Sequence, residues 1–517
     1  MQHDAARARA LADLPERYNA ADDFIGGNLR AGRGARTAVI DARLSLTYAE
    51  LSDRIDRAAA ALLALGLRRD ERVLLCLLDT AAFAIAFFAC LKVGVIPVPL
   101  NTLLTTEDYA WLVEDSGARA VMVDAELSGK WRDIADSRPE VRFLSIDNGP
   151  WASLERLYAD AAPLAAPADT HRDDVAFWQY TSGSTGKPKA AMHVHASPRL
   201  AANLFGAGVI GYRESDVVHS VAKQFFGYGL GNAAFFPFSV GATTVLNRER
   251  PTAAGVSDLM RRHGVTILHG VPTFYAAWFA DGASGFPALR LGVSAGEALP
   301  AHLAEEFRKR FNADLIDGIG STEMLHIFLS NRPGDVRPGC TGRPVPGYEA
   351  RLVGDDGAPV VDGEIGELQV KGPTSAAGYW RNRDKSRATF AGEWTRTGDK
   401  FRRDAEGYYH YGGRSDDMLK VGGIYVAPSE VEAAIASHEG VLEAAVVGVP
   451  DKDGLIKPRA HVVLKPGVSA AGMEETLKAH VKARLAAYKA PRAIVFEVAL
   501  PKTATGKIQR FRLRDRG

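Results

Sequence analysis

The chain has 517 residues, 46% hydrophobic and 24% charged, a composition of folded globular protein in a length too great for one ordinary core. Its 63 basic and 62 acidic side chains leave a net charge near +1, so no global field recruits nucleic acid or an anionic membrane, and any anion must be gripped locally. Three cysteines, Cys76, Cys90 and Cys340, are too few for a disulfide framework and lack metal-ligand spacing; they read as small buried hydrophobes in a reducing, cytoplasmic compartment.

The N-terminal run Met1 to Arg7 has no basic-then-apolar profile of a secretion signal. Tyr48 to Leu65 reads as a helix and Arg72 to Leu77 as a strand. Ala81 to Leu91 is the most apolar stretch. Bounded by Asp79 and Lys92 and far shorter than the roughly 20 residues of a membrane span, it predicts a buried helix feeding a strand over Val93 to Pro99. Strand-like runs recur at Ala120 to Val123, Val217 to Ala222, Thr243 to Leu246, Thr266 to Leu268 and Arg290 to Ser294, with helical stretches such as His302 to Phe311 between them. That alternation implies mostly parallel sheets covered on both faces. From Glu364 the texture changes to short strands punctuated by glycines, which predicts a small antiparallel section. Beyond Asp416 come a helix from Pro428 through Ile435, strands at Val441 to Val449 and Ala460 to Leu464, and an amphipathic helix from Glu474 to Leu485. The expected fold is therefore α/β: a large N-terminal domain, 1–414, of layered mostly parallel sheets plus a small β section, followed by a small mobile α/β C-terminal domain, 415–517. The polar turn Arg414 to Asp417 marks the boundary and suits a hinge.

One segment concentrates phosphate-binding chemistry. In Tyr180-Thr181-Ser182-Gly183-Ser184-Thr185-Gly186-Lys187-Pro188-Lys189 the hydroxyls of Thr181, Ser182, Ser184 and Thr185, the glycines that let backbone N–H groups approach an anion, and two lysines lie together. The alternative is a Ser/Gly-rich surface turn. It is not the strand-loop-helix P-loop, because two residues separate Gly183 from Gly186 and Pro188 follows Lys187. Gly206-Ala207-Gly208-Val209-Ile210-Gly211 fits the dinucleotide pattern GxGxxG and would make the chain an oxidoreductase, but a helix is expected before it and no βαβ unit surrounds it. His193 and His195 are spaced like metal ligands on a strand, yet no third ligand is evident.

The order TSGSTGKPK, followed by Gly318-Ile319-Gly320-Ser321-Thr322-Glu323, Thr397-Gly398-Asp399, Gly413-Arg414-Ser415-Asp416-Asp417-Met418-Leu419-Lys420-Val421-Gly422-Gly423 and Pro501-Lys502-Thr503-Ala504-Thr505-Gly506-Lys507, resembles the five ordered motifs of the adenylate-forming superfamily of acyl-CoA synthetases, adenylation domains and luciferases. Phe225 to Asn232 and Ser321 to Phe328 look like the acyl-pocket segments of benzoate-CoA ligases and their hydroxybenzoate and aminobenzoate relatives.

That resemblance implies an AMP-forming ligase that joins an aryl carboxylic acid to coenzyme A, with ATP and Mg²⁺ and with no nucleic acid or membrane as partner. It assigns Lys507, Glu323, Thr185 and Lys420 to catalysis, and Glu323 also to the metal. Nucleotide contacts fall on the phosphate loop from Thr181 to Lys187, on Ala295, Gly296 and Glu297, on Asp317, Gly318, Ile319, Ser321 and Thr322, and on Asp399 and Arg414. Gly422 and Gly423 would let a narrow pantetheine arm pass. Gly227, Tyr228, Gly320, His326 and Ile327 would form the acyl pocket, and Asp416 the hinge. Several of these residues keep a second reading: Glu323 as a helix-start acid, Asp399 as a solvated turn aspartate, His326 as a neutral core imidazole.

This chain departs from the family in two places. Ile319 stands where an adenine-stacking aromatic is usual, and Gly227 where benzoate-CoA ligases commonly carry alanine, a loss expected to enlarge the pocket. Amino-acid-activating relatives have an aspartate at the Gly227 position, so an α-amino acid would lack its partner. Rival readings are an enzyme that loads a carrier-protein thiol, the dinucleotide oxidoreductase, and a silent adenylation fold. Acetylation of Lys507 by a lysine acetyltransferase, reversed by a deacetylase, would remove its charge and act as an off-switch.

Overall fold

The computed structural model describes residues 14–181, 187–414, 419–421, 424–450, 456–485, 489–502 and 508–514. The expected helix after Thr47 runs from Tyr48 to Ala64 and begins with a capping box. The Thr47 hydroxyl accepts from the Glu50 N–H, and the Glu50 carboxylate accepts from the Thr47 N–H, so two end donors are satisfied at once. The apolar helix spans Ala81–Lys92 and is buried on nearly every face. A helix apolar all round belongs inside a protein. Among the described residues no helix is long and apolar enough to cross a membrane.

Two parallel sheets dominate the large N-terminal domain. One runs Ile96–Pro99, Arg72–Cys76, Ala120–Asp124, Arg142–Ile146, Ala152–Ser153 in spatial order, every pair parallel. The other is parallel from Thr37–Ile40 through Thr243–Val245, Val217–Ser220, Ile267–Gly270 and Leu291–Ala295 to Asp314–Gly320, and then turns antiparallel into Ile327–Ser330. The strand expected from Val93 starts at Ile96, because Gly94 at φ +73° closes the preceding helix.

The antiparallel section begins earlier than the glycine pattern suggested. Its first strand is Glu349–Val353, paired with Ile365–Lys371, which in turn pairs with Trp394–Arg403 and that with Tyr409–Arg414. A second difference lies inside it. Thr397-Gly398-Asp399 is not a tight turn but a bulge within the strand Trp394–Arg403: Glu367 pairs with Lys400 and Gln369 with Arg396, leaving two extra residues on the longer strand. Gly398 at φ +71° is what permits it.

The small C-terminal domain carries its own sheet, Val441–Pro450 antiparallel to Ile456–Leu464 and that parallel to Ala493–Phe496, covered by helices Pro428–Ala436 and Met473–Lys482 around a separate apolar cluster.

The candidate active site

The segment expected to bind phosphate is flanked by two paired strands. Val175–Thr181 pairs antiparallel with Lys189–Val194, and Thr181 faces Lys189 across the last rung. Ser182, Gly183, Ser184, Thr185 and Gly186 lie outside the described residues, as do Asp416, Gly422, Gly423 and Lys507 and the side chain of Lys420. The hairpin's two lysines sit on aromatic faces: the Lys187 ammonium lies 5.1 Å from the Trp111 ring centre and that of Lys189 4.8 Å from Tyr379.

Tyr379 connects this hairpin to Glu323. Its hydroxyl donates to Glu323 Oε1 at 2.6 Å, and the Glu323 carbonyl accepts from the Ala376 N–H. The tyrosine also bridges Ala191 on the hairpin. Glu323 sits in a single helical turn, Thr322–Met324, closed by the Ser321 side chain accepting from the Met324 N–H. One turn has little macrodipole, so the helix-start reading of Glu323 loses its physical basis. Tyr379 was not among the expected site residues. The only trace in the sequence is its setting, Gly378-Tyr379-Trp380, an aromatic pair beside a glycine that sits at φ +148°.

Asp399 and Arg414 face each other across adjacent strands. Arg414 donates to Asp399 Oδ1 at 3.1 Å and to the Thr397 carbonyl at 2.9 Å. The bulge at Gly398 takes Asp399 out of the ladder with Ile365–Lys371 while leaving it paired with Arg414. Asp399 is 6% exposed, so it is not the freely solvated aspartate of the alternative reading.

Ala295 ends the strand Leu291–Ala295, and Gly296 follows at φ +91°. Glu297 accepts from the Thr273 hydroxyl at 2.8 Å while its other oxygen is buried without a partner among the described residues. Burial raises its pKa. Asp317, Gly318, Ile319 and Gly320 lie on the neighbouring strand Asp314–Gly320, with Ala295 paired to Gly318. Burial also pushes the Asp317 carboxyl well above the carboxylate range.

The expected acyl-pocket residues converge. Tyr228, in the helix Gly227–Leu230, donates to the Val293 carbonyl at 3.1 Å, and its ring centre is 5.5 Å from that of His326. His326 also packs on Phe205 and Phe236. Gly320 pairs with Ile327 so closely to the His326 carbonyl that a Cβ there would collide with it. Burial lowers the His326 pKa to about 3, so the ring is a neutral imidazole, with Nδ1 lacking a partner among the described residues. Gly227 is the exception. A Cβ on it would stand 2.8 Å from Gln179 Oε1 and 2.8 Å from the Leu325 carbonyl oxygen, so its missing methyl leaves no open room for a ring. The space is taken by the Gln179 amide.

His193 and His195 are structural. His193 Nε2 lies 2.7 Å from the Thr322 carbonyl, His195 Nδ1 accepts from the Ala20 N–H, and burial lowers both to about 4. The GxGxxG segment lies in the helix Ala202–Ile210, ended by Gly211 in the left-handed region, with no strand leading into it. The three cysteines are free and buried.

The AMP-binding enzyme family model matches residues 30–380, and the model for the C-terminal domain of AMP-binding enzymes matches 430–507. The chain is 52% identical over 509 residues to a benzoate–CoA ligase of Thauera aromatica, with 97% of each chain covered. It is 49% identical to a 4-hydroxybenzoate–CoA/benzoate–CoA ligase of Rhodopseudomonas palustris, over 96% of this chain and 94% of that one. Among solved structures it resembles a benzoate CoA ligase from Burkholderia xenovorans LB400 at a TM-score of 0.90 and 49% identity, covering 96% of this chain and 100% of that one. It also resembles the anthranilate CoA ligase AuaEII in complex with anthranoyl-AMP, at a TM-score of 0.93 and 42% identity, with 98% of each chain covered.

Proposed function

Since the chain belongs to the AMP-binding enzyme family, we propose that it is an aryl-acid CoA ligase that activates benzoate or a hydroxy- or amino-substituted benzoate with ATP and passes the acyl group to coenzyme A. A carboxylate does not react with a thiol in water. Its oxygen attacks the α-phosphorus of ATP, the bond to the β-phosphate bridging oxygen breaks, and pyrophosphate leaves. The CoA thiolate then attacks the acyl carbon of the adenylate, and AMP leaves carrying the former carboxylate oxygen. Both steps crowd or redistribute negative charge, so oriented cations and N–H donors supply most of the catalysis.

The observation that carries this reading is the chain of contacts Lys189–Tyr379–Glu323, which ties the base of the phosphate hairpin to the Glu323 turn. Directly after that turn come His326 and Ile327 of the aryl pocket. Among the described residues no group of three or more metal-ligating side chains occurs. Glu323 would hold Mg²⁺ through its carboxylate, an ion that needs only one or two protein carboxylates. When bound, the ion neutralises phosphate charge. Asp399 and Arg414 would hold the ribose hydroxyls, Glu297 and Asp317 the nucleotide's base side, and Lys507 would meet the carboxylate and α-phosphate during adenylation. Lys420, Gly422 and Gly423 would serve the CoA side after a turn about Asp416, at the boundary between 1–414 and 415–517.

Tyr228, His326 and Ile327 would make a short pocket with aromatic walls, suited to a flat ring. AMP and CoA-thioester formation measured with benzoate, hydroxy- and aminobenzoates, cinnamate and dodecanoate tests the reading. Benzoate-sized acids are expected to be turned over far better than dodecanoate. Efficient use of dodecanoate contradicts it.

A further inference from the structure

Gln179 lies on the strand Val175–Thr181, two residues before the phosphate-binding tip, and is 2% exposed. Neither its amide nitrogen nor its amide oxygen has a hydrogen-bond partner among the described residues. A buried amide left this way costs stability that an apolar side chain of the same shape would not. Its surroundings say where the missing partner belongs. The amide oxygen and the Leu325 carbonyl oxygen both crowd Gly227, and these neighbours directly precede Tyr228 and His326, the two rings of the aryl pocket.

Gly227 does not have a positive φ, so backbone conformation does not call for glycine there. Space does, because any Cβ would press on the Gln179 amide and the Leu325 carbonyl. Leu325 itself is held at φ +67°, an unfavourable conformation for a leucine and one that recurs where backbone is fixed for a ligand. Gln179 and Gly227 thus form a matched pair, a polar head kept at the pocket and a residue small enough to admit it.

We propose that the Gln179 amide is a specificity-determining contact that hydrogen-bonds a hydroxyl or amino substituent on the aryl ring. The proposal rests on the aryl-acid reading and deepens it. An amide offers both a donor and an acceptor, so either substituent can complete it, whereas unsubstituted benzoate leaves it unpaired.

The test compares kcat/KM of the wild-type enzyme and Gln179→Leu for benzoate and for the hydroxy-, amino- and methylbenzoate isomers. At least one hydroxy or amino isomer is expected to be used by the wild type as well as benzoate or better. In Gln179→Leu its kcat/KM is expected to fall by about tenfold or more, while benzoate and the methyl isomer of the same position change by less than about threefold, since losing a buried hydrogen bond discriminates far more than a change of shape. The melting temperature of the ligand-free variant is expected to match or exceed that of the wild type. A uniform fall across all acids, or no selective fall for any isomer, overturns the proposal. Should Gln179→Leu fail to fold, Gln179→Met, which removes the same amide while keeping the length of the side chain, must give the same selective loss or the proposal fails. A wild-type enzyme that turns over no benzoate of any kind contradicts the aryl-acid reading itself, and this contact falls with it.

Discussion

Tyr379 reaches Glu323 with one hydroxyl and Lys189 with its ring face, so a single side chain orients an acid and a cation that the proposed chemistry would set on the same polyphosphate. Tyr379→Phe keeps the ring and removes the hydrogen bond. It is expected to lower the rate of adenylation, read as pyrophosphate release, by about tenfold, the scale of one misplaced electrostatic contact, with aryl-acid binding unchanged. An unchanged rate would mean Glu323 needs no support from Tyr379. His326 permits a test by pH. Burial lowers its pKa from the ordinary 6.5 to about 3 in the fold, so between those values the unfolded chain binds a proton that the folded one refuses. Stability from this group therefore rises with pH through that window, by up to about 1.4 kcal/mol per unit, and is complete above 6.5. Urea unfolding of the wild type and His326→Gln at pH 5, 6, 7 and 8 should show the wild type gaining on the variant up to about pH 6.5 and keeping a constant margin above pH 7. Parallel curves throughout would mean that His326 titrates alike in the folded and the unfolded chain.

The bulge in Trp394–Arg403 is the element on which the Asp399–Arg414 pair depends. A Cβ on Gly398 would meet the Arg414 guanidinium at 2.8 Å and would sit on a backbone at φ +71°. Gly398→Ala is expected to cost about 1 kcal/mol of stability and to raise the KM for ATP severalfold with the KM for the aryl acid unmoved. Equal effects on both substrates would place Asp399 and Arg414 away from the nucleotide. The same element shows where the sequence stops being legible. Thr397-Gly398-Asp399 looks like a turn because its three residues have turn chemistry; only the register against Glu367 and Gln369, some thirty positions earlier, makes it a bulge. The alternating strands and helices of the N-terminal domain were readable because each is a local pattern, an apolar run or a capping box such as Thr47 to Glu50. Tyr228, Gly320, His326 and Ile327, expected in one acyl pocket, do lie together. The packing around them was not legible. Gly227 suggested added room, and Gln179, remote in the chain, fills it. Tyr379 was missed for the same reason, a contact to Glu323 from far along the chain.

Across the whole molecule, the segment before Lys507 and the helix after it are both fastened to the small C-terminal domain. Lys502 pairs with Glu443 at 2.6 Å, Lys502 bridges Ile508, and Arg510 pairs with Glu432 at 2.9 Å. A lysine whose flanking segments are held by that domain, one to its sheet through Glu443 and one to its helix through Glu432, would travel with it, so rotation of the small domain would carry it to or from the α-phosphate as a unit. Such a motion serves an enzyme only if the acyl group passes through an adenylate. That intermediate leaves an isotopic record, because the oxygen of the carboxylate that attacks the α-phosphorus stays on the phosphate when the thiolate displaces AMP. Benzoate labelled with ¹⁸O in its carboxylate, incubated with the protein, ATP, Mg²⁺ and CoA, is the decisive substrate, with the AMP analysed by mass spectrometry. The expected result is one ¹⁸O atom in the phosphate of AMP, none in pyrophosphate, and benzoyl-CoA formed in equal amount. Label appearing in inorganic phosphate alongside ADP, or benzoyl-CoA formed with unlabelled AMP, would contradict activation through an aryl adenylate.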